Sequence, residues 1–132
     1  MTITGICDSV YEYRFARRRG CLHTASPLQS VNSLIENKED FQAIFCGNDL
    51  IAIGAMKKLM ENNISIPDDI AIMGFDDIYI SSLVHPELTT IKQPNYKMGY
   101  EAVQMMIDHL EGKEIKEKNL LLNTELIIRK SS

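Results

Sequence analysis

Two short apolar runs with one helix-length segment between them constrain the fold of this chain most. Residues 43–46 and 70–73 have the length and the composition of buried parallel strands. A strand, a helix and a second strand in this order form a right-handed crossover, so both strands end at the same edge of one sheet. Asn48-Asp49 follows the first run and Gly74-Phe75-Asp76-Asp77 the second, at the edge where open α/β sheets bind ligands.

The helix between the two runs has clear start and stop signals. Asn48 is an N-cap candidate, because its side-chain oxygen can accept an amide hydrogen at the helix start, which places that start at Asp49 or Leu50. Asn62, Asn63 and Pro67 end the helix. The pattern predicts further strands at 3–6, 88–91 and, as a pair or one bent strand, 120–122 and 125–129, and helices from Pro27 to about 36 and over 95–111.

The composition fits one ordinary globular domain spanning residues 1–132. The chain is 45% hydrophobic and 24% charged, with a formal net charge of −4. This charge argues against a dedicated nucleic-acid surface, and the arginines at positions 14 and 17–19 are read as a solvated helix end.

The cysteines and the N-terminal residues bear on the compartment. Cys7, Cys21 and Cys46 lack the paired spacing of a disulfide framework or a zinc site. No run has the length of a membrane-spanning helix, and the first residues lack the pattern of a secretory signal. We therefore expect a cytoplasmic protein without a membrane partner, a metal or a cofactor.

The predicted helix over residues 95–111 has more apolar surface than one sheet contact would cover. One polar stripe repeats at intervals of three and four, and the remaining circumference is apolar. We expect this helix either to dock on its own sheet or to pack against another copy of the chain.

Five stretches identify a family resemblance when they are taken together, in order and at their spacing. The chain closely resembles the lactose-repressor family of bacterial transcription regulators through AIFCGNDLIAIGA (43–55), IPDDI (66–70), GFDD (74–77), PELTTIKQ (86–93) and TELIIR (124–129). The resemblance implies an α/β fold, a three-layer parallel sheet with flanking helices like one lobe of a type I periplasmic-binding-protein-like domain. It also implies a truncated effector-binding domain, mainly the second lobe, without the DNA-binding domain and most of the first lobe.

The resemblance also implies a function and a set of residues. Family members bind a sugar or another small metabolite between two lobes and bind operator DNA through the domain expected to be absent here. Position by position, the effector contacts would be Asn48, Asp76, Gln93 and Arg17. Carboxylate, amide and guanidinium groups suit the paired donors and acceptors of sugar hydroxyls. With one lobe alone, we expect weak or no effector binding.

Structural roles are open for the same residues. Asn48 is a helix cap whether or not it binds a ligand. Asp76 and Asp77 could serve only to organise the turn that follows the strand, and Gln93 could satisfy a backbone group.

Three other functions remain as alternatives. One is a sugar-binding fragment of a transport system, which the missing signal disfavours. Another is a metal-dependent enzyme using Asp76 and Asp77, although adjacent residues of an extended segment point to opposite sides. The third is an interaction module. The resemblance implies a homodimer through the helix after Asn48 and the segment 80–88, with Leu50, Ile53 and Val84 as interface candidates, although this helix could instead be buried within its own lobe.

Overall fold

The computed structural model describes residues 3–6, 27–36, 41–113 and 119–132. They form five strands, three α-helices and one 3-10 helix. The strands are β1 (Ile3–Ile6), β2 (Ala43–Cys46), β3 (Ala71–Asp76), β4 (Thr89–Lys92) and β5 (Glu125–Ile127). The α-helices are α1 (Pro27–Glu36), α2 (Asp49–Glu61) and α3 (Asn95–Leu110), and the 3-10 helix is Tyr79–Ser82.

The five strands form one sheet in the order β1-β2-β3-β4-β5. The first four are parallel, and Ile44 of β2 lies opposite Ile72 of β3 in the register. β5 runs antiparallel to β4, with Leu126 opposite Ile91. The predicted α/β class, with helices flanking a sheet, is confirmed. The sheet is mixed at its last strand rather than parallel throughout, because the chain returns along β4 after α3.

The core lies between the sheet and α2. Along β2 and over the first four residues of β3 every second residue is buried, so Ile44 and Ile72 face inward while their neighbours are half-buried. α2 contributes Ala55 and Leu59, neither of which has any exposed surface. α1 packs on α2 and adds the fully buried Val31. Burying a valine, leucine or isoleucine side chain stabilises the fold by about 1.5 to 3 kcal/mol, and this core holds α2 against β2 and β3.

The limits of α2 agree with the sequence prediction. Asn48 has an extended backbone, and its Oδ1 accepts a hydrogen bond from the Ile51 amide at 2.8 Å. The helix ends at Glu61, where the Asn62 side chain donates to the Lys58 carbonyl. The predicted N-cap is therefore confirmed, and it fixes the position of Asn48 relative to the end of β2.

The C-terminal segment differs from the prediction. Residues 120–122 form no strand, and β5 is limited to three residues. The residues that follow are held by hydrogen bonds instead. Ser131 Oγ donates to the Ile72 carbonyl at 2.6 Å and accepts from the Thr89 amide at 2.8 Å, so this buried hydroxyl joins the starts of β3 and β4.

α3 is not docked on the sheet. None of its residues is buried, which contradicts the first of the two packing alternatives predicted for it. Its half-buried positions include Glu101, Gln104 and Asp108, so the more polar stripe is the less exposed one. The exposed large apolar residues of α3 are Tyr96, Met98, Tyr100, Val103, Met106, Ile107 and Leu110. Packing of α3 against another copy of the chain remains a prediction.

Candidate functional site

Three polar side chains follow the carboxyl ends of three neighbouring parallel strands. Asn48 comes after β2, Asp76 is the last residue of β3, and Gln93 follows β4. We call these three residues the carboxyl edge. All three are half-buried, so each has surface that a ligand can reach. Their common position follows from the parallel pairing, because parallel strands end at the same side of a sheet.

Asp76 and Gln93 are in direct contact. Gln93 Nε2 donates a hydrogen bond to Asp76 Oδ1, so the amide joins the ends of β3 and β4 through side chains. Asp76 has a φ of 115°, in the region that L residues rarely adopt. An unusual backbone conformation in a rigid sheet is typical of positions held by surrounding contacts, and it often accompanies function.

Asn48 combines its capping role with a position at the site. The cap uses Oδ1 as the acceptor. The Nδ2 amide group of the same side chain is therefore the part that can donate to a ligand. The structural role and the binding role of Asn48 are compatible.

Asp77 has a different partner from Asp76. Arg129 Nη2 lies 2.6 Å from Asp77 Oδ1, and Arg129 Nη1 donates to the Leu88 carbonyl at 2.8 Å. Asp77 therefore organises the turn through an ion pair, whereas Asp76 contacts Gln93. The two carboxylates do not converge on one point, and the described residues contain no group of three His, Cys, Asp or Glu side chains suited to a metal ion. This arrangement does not favour the metal-dependent enzyme alternative.

Asp49 is a central residue that the sequence analysis used only as a helix start. Its side chain has no exposed surface. Its carboxylate accepts hydrogen bonds from the Ile78 amide at 2.9 Å, Ser81 Oγ at 2.6 Å and Thr90 Oγ1 at 2.5 Å. A buried charge requires such partners. We call Asp49, Ile78, Ser81 and Thr90 the Asp49 network, which lies next to the carboxyl edge in the sequence and in the fold.

Gly74 makes room for this network. A Cβ atom added at this position would lie 2.2 Å from Asp49 Oδ1 and 3.2 Å from Asp49 Cα. The glycine of the GFDD stretch is thus required for close approach between β3 and the start of α2.

Cys46 lies at the end of β2 but is unsuited to nucleophilic chemistry. Burial, with the nearby Asp49 charge as a smaller cause, raises the pKa of its thiol to about 12. The thiolate is the reactive form, so this cysteine is a small core residue at neutral pH. Cys7 and Cys21 lie outside the described residues.

The three interface candidates differ in their exposure. Leu50 is 65% exposed, whereas Ile53 and Val84 are half-buried and pack against the core. Ile53 and Val84 also line a groove of about 450 Å³ together with Met56, Lys57, Met60, Glu61 and His85. Leu50 lies three residues before Ile53 in α2, on the same side of that helix, and an exposed leucine near an apolar groove is consistent with an interaction surface.

Two further sequence predictions concern Arg17 and the absence of a membrane-spanning helix. Arg17 lies outside the described residues, so its proposed contact has no structural test. Within the described part of the chain, each helix lacks the combination of length and apolar content that crossing a bilayer requires.

Comparisons with known proteins agree with this geometry. The model of the periplasmic binding protein-like domain family matches residues 9–132. The chain is 36% identical over 107 residues to the HTH-type transcriptional regulator RegA of Clostridium saccharobutylicum, covering 81% of this chain and 32% of RegA. It is 34% identical to the HTH-type transcriptional repressor CytR of Escherichia coli K12, covering 79% of this chain and 30% of CytR. The chain thus spans about a third of the length of these relatives.

Solved structures give the same result. The lac repressor bound to ONPG in its repressed state superposes with a TM-score of 0.76 at 32% identity, over 81% of this chain and 32% of that one. The complex of the transcriptional regulator CelR with cellobiose superposes with a TM-score of 0.76 at 28% identity, over 81% of this chain and 33% of the regulator. RegA and CytR are transcription regulators rather than enzymes.

Proposed function

Because the chain belongs to the periplasmic binding protein-like domain family, as an effector-binding part of the lactose-repressor family of regulators, we propose that it forms one wall of a small-molecule site in a bacterial transcription regulator. The effector is a sugar or a phospho-sugar. The contacts from this wall are Asn48, Asp76 and Gln93, with Arg17 added on the family resemblance. Such a regulator acts in the cytoplasm and reaches operator DNA through another domain.

One observation carries this proposal: the carboxyl edge places an amide, a carboxylate and a second amide at the ends of three adjacent strands. Gln93 holds Asp76 through a hydrogen bond, and the helix cap holds Asn48. Rigid donors and acceptors of this kind fit vicinal hydroxyl groups, each of which can donate and accept. The CelR complex supports the choice of a carbohydrate, since that relative has a similar fold and is bound to cellobiose.

Calorimetric titration of the full chain against a sugar and phospho-sugar panel tests this proposal. The sequence alone left weak binding and no binding open, and here we propose weak binding. One compound class should bind with a dissociation constant of about 1 mM, because a single wall supplies few contacts. Asp76→Asn should weaken that binding at least tenfold. Asp68→Asn is the matched control, because Asp68 is an exposed carboxylate on the loop before β3. Equal binding by wild type and Asp76→Asn, or no binding across the panel, would refute the proposal.

We also propose that the chain forms a homodimer through the surface around Leu50, Ile53 and Val84. The exposure of Leu50 and the adjacent groove support this surface. The lac repressor is described as a dimer in one structure that resembles this chain. Light scattering coupled to size exclusion should show a dimer that Leu50→Glu dissociates. Leu121→Glu should leave it intact, because Leu121 is 93% exposed and lies in the C-terminal segment. A monomeric wild type would rule out this interface.

A further inference from the structure

Asp49 links the start of α2 to two segments that are distant from it in the sequence, residues 78–81 and β4. Its Oδ2 accepts from the Ile78 amide and from Ser81 Oγ, and its Oδ1 accepts from Thr90 Oγ1. Ile78 and Ser81 lie 29 and 32 residues away, and Thr90 lies 41 residues away. A fully buried carboxylate with three donors fixes all of them, because leaving any donor or the charge unpaired is costly.

One end of the Asp49 network reaches the carboxyl edge. Asn48 directly precedes Asp49 in the chain. Thr90 Oγ1 accepts a hydrogen bond from the Asp77 amide at 3.3 Å while it donates to Asp49. The network therefore holds two consecutive amides, those of Asp77 and Ile78, directly after Asp76. Positive φ angles at Asp76 and Asp77, 115° and 53°, are conformations that need such tertiary support.

The other end reaches the surface proposed for subunit contact. Ser81 is the buried residue of the 3-10 helix Tyr79–Ser82. Leu83 and Val84 follow this helix directly in the chain. The Val84 amide donates to the Ile80 carbonyl at 3.2 Å, so the segment from 78 to 84 forms one hydrogen-bonded turn. Leu50 follows Asp49 directly. The same carboxylate thus contacts the segment that ends at Val84 and the helix start that presents Leu50.

We propose that Asp49 is a positioning residue that couples the carboxyl edge to the 78–84 segment. This inference rests on the proposed function, since it gives the effector site a path to the subunit surface. A change in the turn after Asp76 alters the donors to Thr90 and Asp49, and Asp49 transmits it to Ser81. Such coupling is reciprocal, so a change at Ser81 must also alter the carboxyl edge.

Ser81 and Ser82 provide a matched test of this coupling. Ser81 Oγ donates to Asp49, whereas Ser82 Oγ donates to the Tyr79 carbonyl on the exposed side of the same 3-10 helix. In nitrogen-15 NMR spectra of the full chain without ligand, Ser81→Ala should shift the Asp76 amide and the Gln93 side-chain amide. Ser82→Ala should leave both signals in place. Unshifted signals in Ser81→Ala, or equal shifts in both variants, would overturn the coupling.

Two substitutions of Thr90 form a second matched pair, which tests the coupling if Ser81→Ala does not fold. Thr90 is fully buried, so Thr90→Val keeps its shape but removes the hydroxyl, and Thr90→Ser keeps the hydroxyl. Thr90→Val should shift the Ile78 amide and the Gln93 side-chain amide, and Thr90→Ser should restore both. Equal spectra for the two variants would contradict the proposal.

Sugar binding by the same variants distinguishes coupling by Asp49 from a role in stability alone. With the sugar that binds wild type best, Thr90→Val and Ser81→Ala should raise the dissociation constant about fivefold or more. Ser82→Ala and Thr90→Ser should not. Unchanged affinity in folded Ser81→Ala and Thr90→Val would leave Asp49 only a structural role and refute the inference. If no sugar binds wild type, the proposed function fails, and the ligand-free spectra still decide the coupling.

Discussion

Arg129 Nη2 donates to Asp77 Oδ1 at 2.6 Å, and this ion pair ties the C-terminal segment to the turn that follows Asp76. Both side chains are largely buried, with 16% and 14% of their surfaces exposed. The second guanidinium nitrogen, Nη1, donates to the Leu88 carbonyl. The planar guanidinium can bridge two segments in this way, which a lysine ammonium cannot do with the same geometry.

The first prediction follows from this pair. Arg129→Ala should lower the free energy of unfolding by about 2 kcal/mol, because it leaves a buried carboxylate without its charged donor. Urea unfolding of the purified chain measures the change. Lys130→Ala is the control, since Lys130 pairs with Glu87 at the same 2.6 Å but with 67% and 39% of the side chains exposed. The control should change stability much less, and an equal loss in both variants would contradict this account.

The second prediction concerns the close approach at Gly74. Gly74→Ala should destabilise the fold by about 1 to 3 kcal/mol, because the new methyl group would overlap Asp49 Oδ1. Gly99→Ala is a matched control within α3, where an added Cβ meets no atom within 4 Å. That variant should gain up to about 1 kcal/mol from helix propensity. Thermal or urea unfolding distinguishes the two, and a neutral Gly74→Ala would rule out the clash.

The third prediction separates the two roles of Asn48. Asn48→Ala removes the hydrogen bond to the Ile51 amide and should cost about 1 kcal/mol of stability. Asn48→Ser restores a capping oxygen, so its stability should return close to that of wild type. The serine cannot supply the amide donor, so calorimetry should still show weakened sugar binding. Wild-type affinity in Asn48→Ser would mean that Asn48 is a cap only.

The fourth prediction concerns alkaline pH. Burial raises the pKa of the Cys46 thiol from 9.0 to about 12. Between these values the unfolded chain loses the thiol proton while the folded chain keeps it, so stability falls as pH rises from 9 towards 12. The cysteine contributes up to about 1.4 kcal/mol per pH unit to this fall. Comparing urea unfolding of wild type and Cys46→Ala from pH 8 to 11 isolates the effect, and parallel pH profiles would contradict it.

The crossover from β2 to β3 could be predicted from sequence because its signals are local. Asn48 caps the helix that follows it, and Asn62 ends that helix within one residue of the expected position. Parallel pairing then explains why Asn48 and Asp76 lie at one edge of the sheet. Gln93 was assigned to the site by the family resemblance, and its hydrogen bond to Asp76 was not predicted.

The Asp49 network could not be predicted in the same way. An aspartate in the first turn of a helix is usually solvated and interacts with the helix dipole. Its burial here depends on Ser81 and Thr90, whose positions are set by tertiary packing. Gly74 was predicted to follow the strand 70–73, but in the structure it lies inside β3, where a glycine often marks close backbone approach.

The C-terminal segment and α3 show a second limit of prediction from the sequence. The apolar run 120–122 suggested a strand, but β4 ends at Lys92, whose partner in the register is Glu125, so earlier residues have no β4 partner. The helical pattern of α3 is local and was predicted correctly. Its packing is not local, and the side it leaves exposed is the apolar one.

Nitrogen-15 NMR of the full chain during a sugar titration tests the central claim most directly. The account predicts concentration-dependent shifts for the Asn48 and Gln93 side-chain amides and for the Asp76 backbone amide. Signals from the groove beside Ile53 and His85 should stay in place. Shifts confined to that groove, or a spectrum unchanged by every sugar at concentrations above about 10 mM, would contradict an effector site at the carboxyl edge.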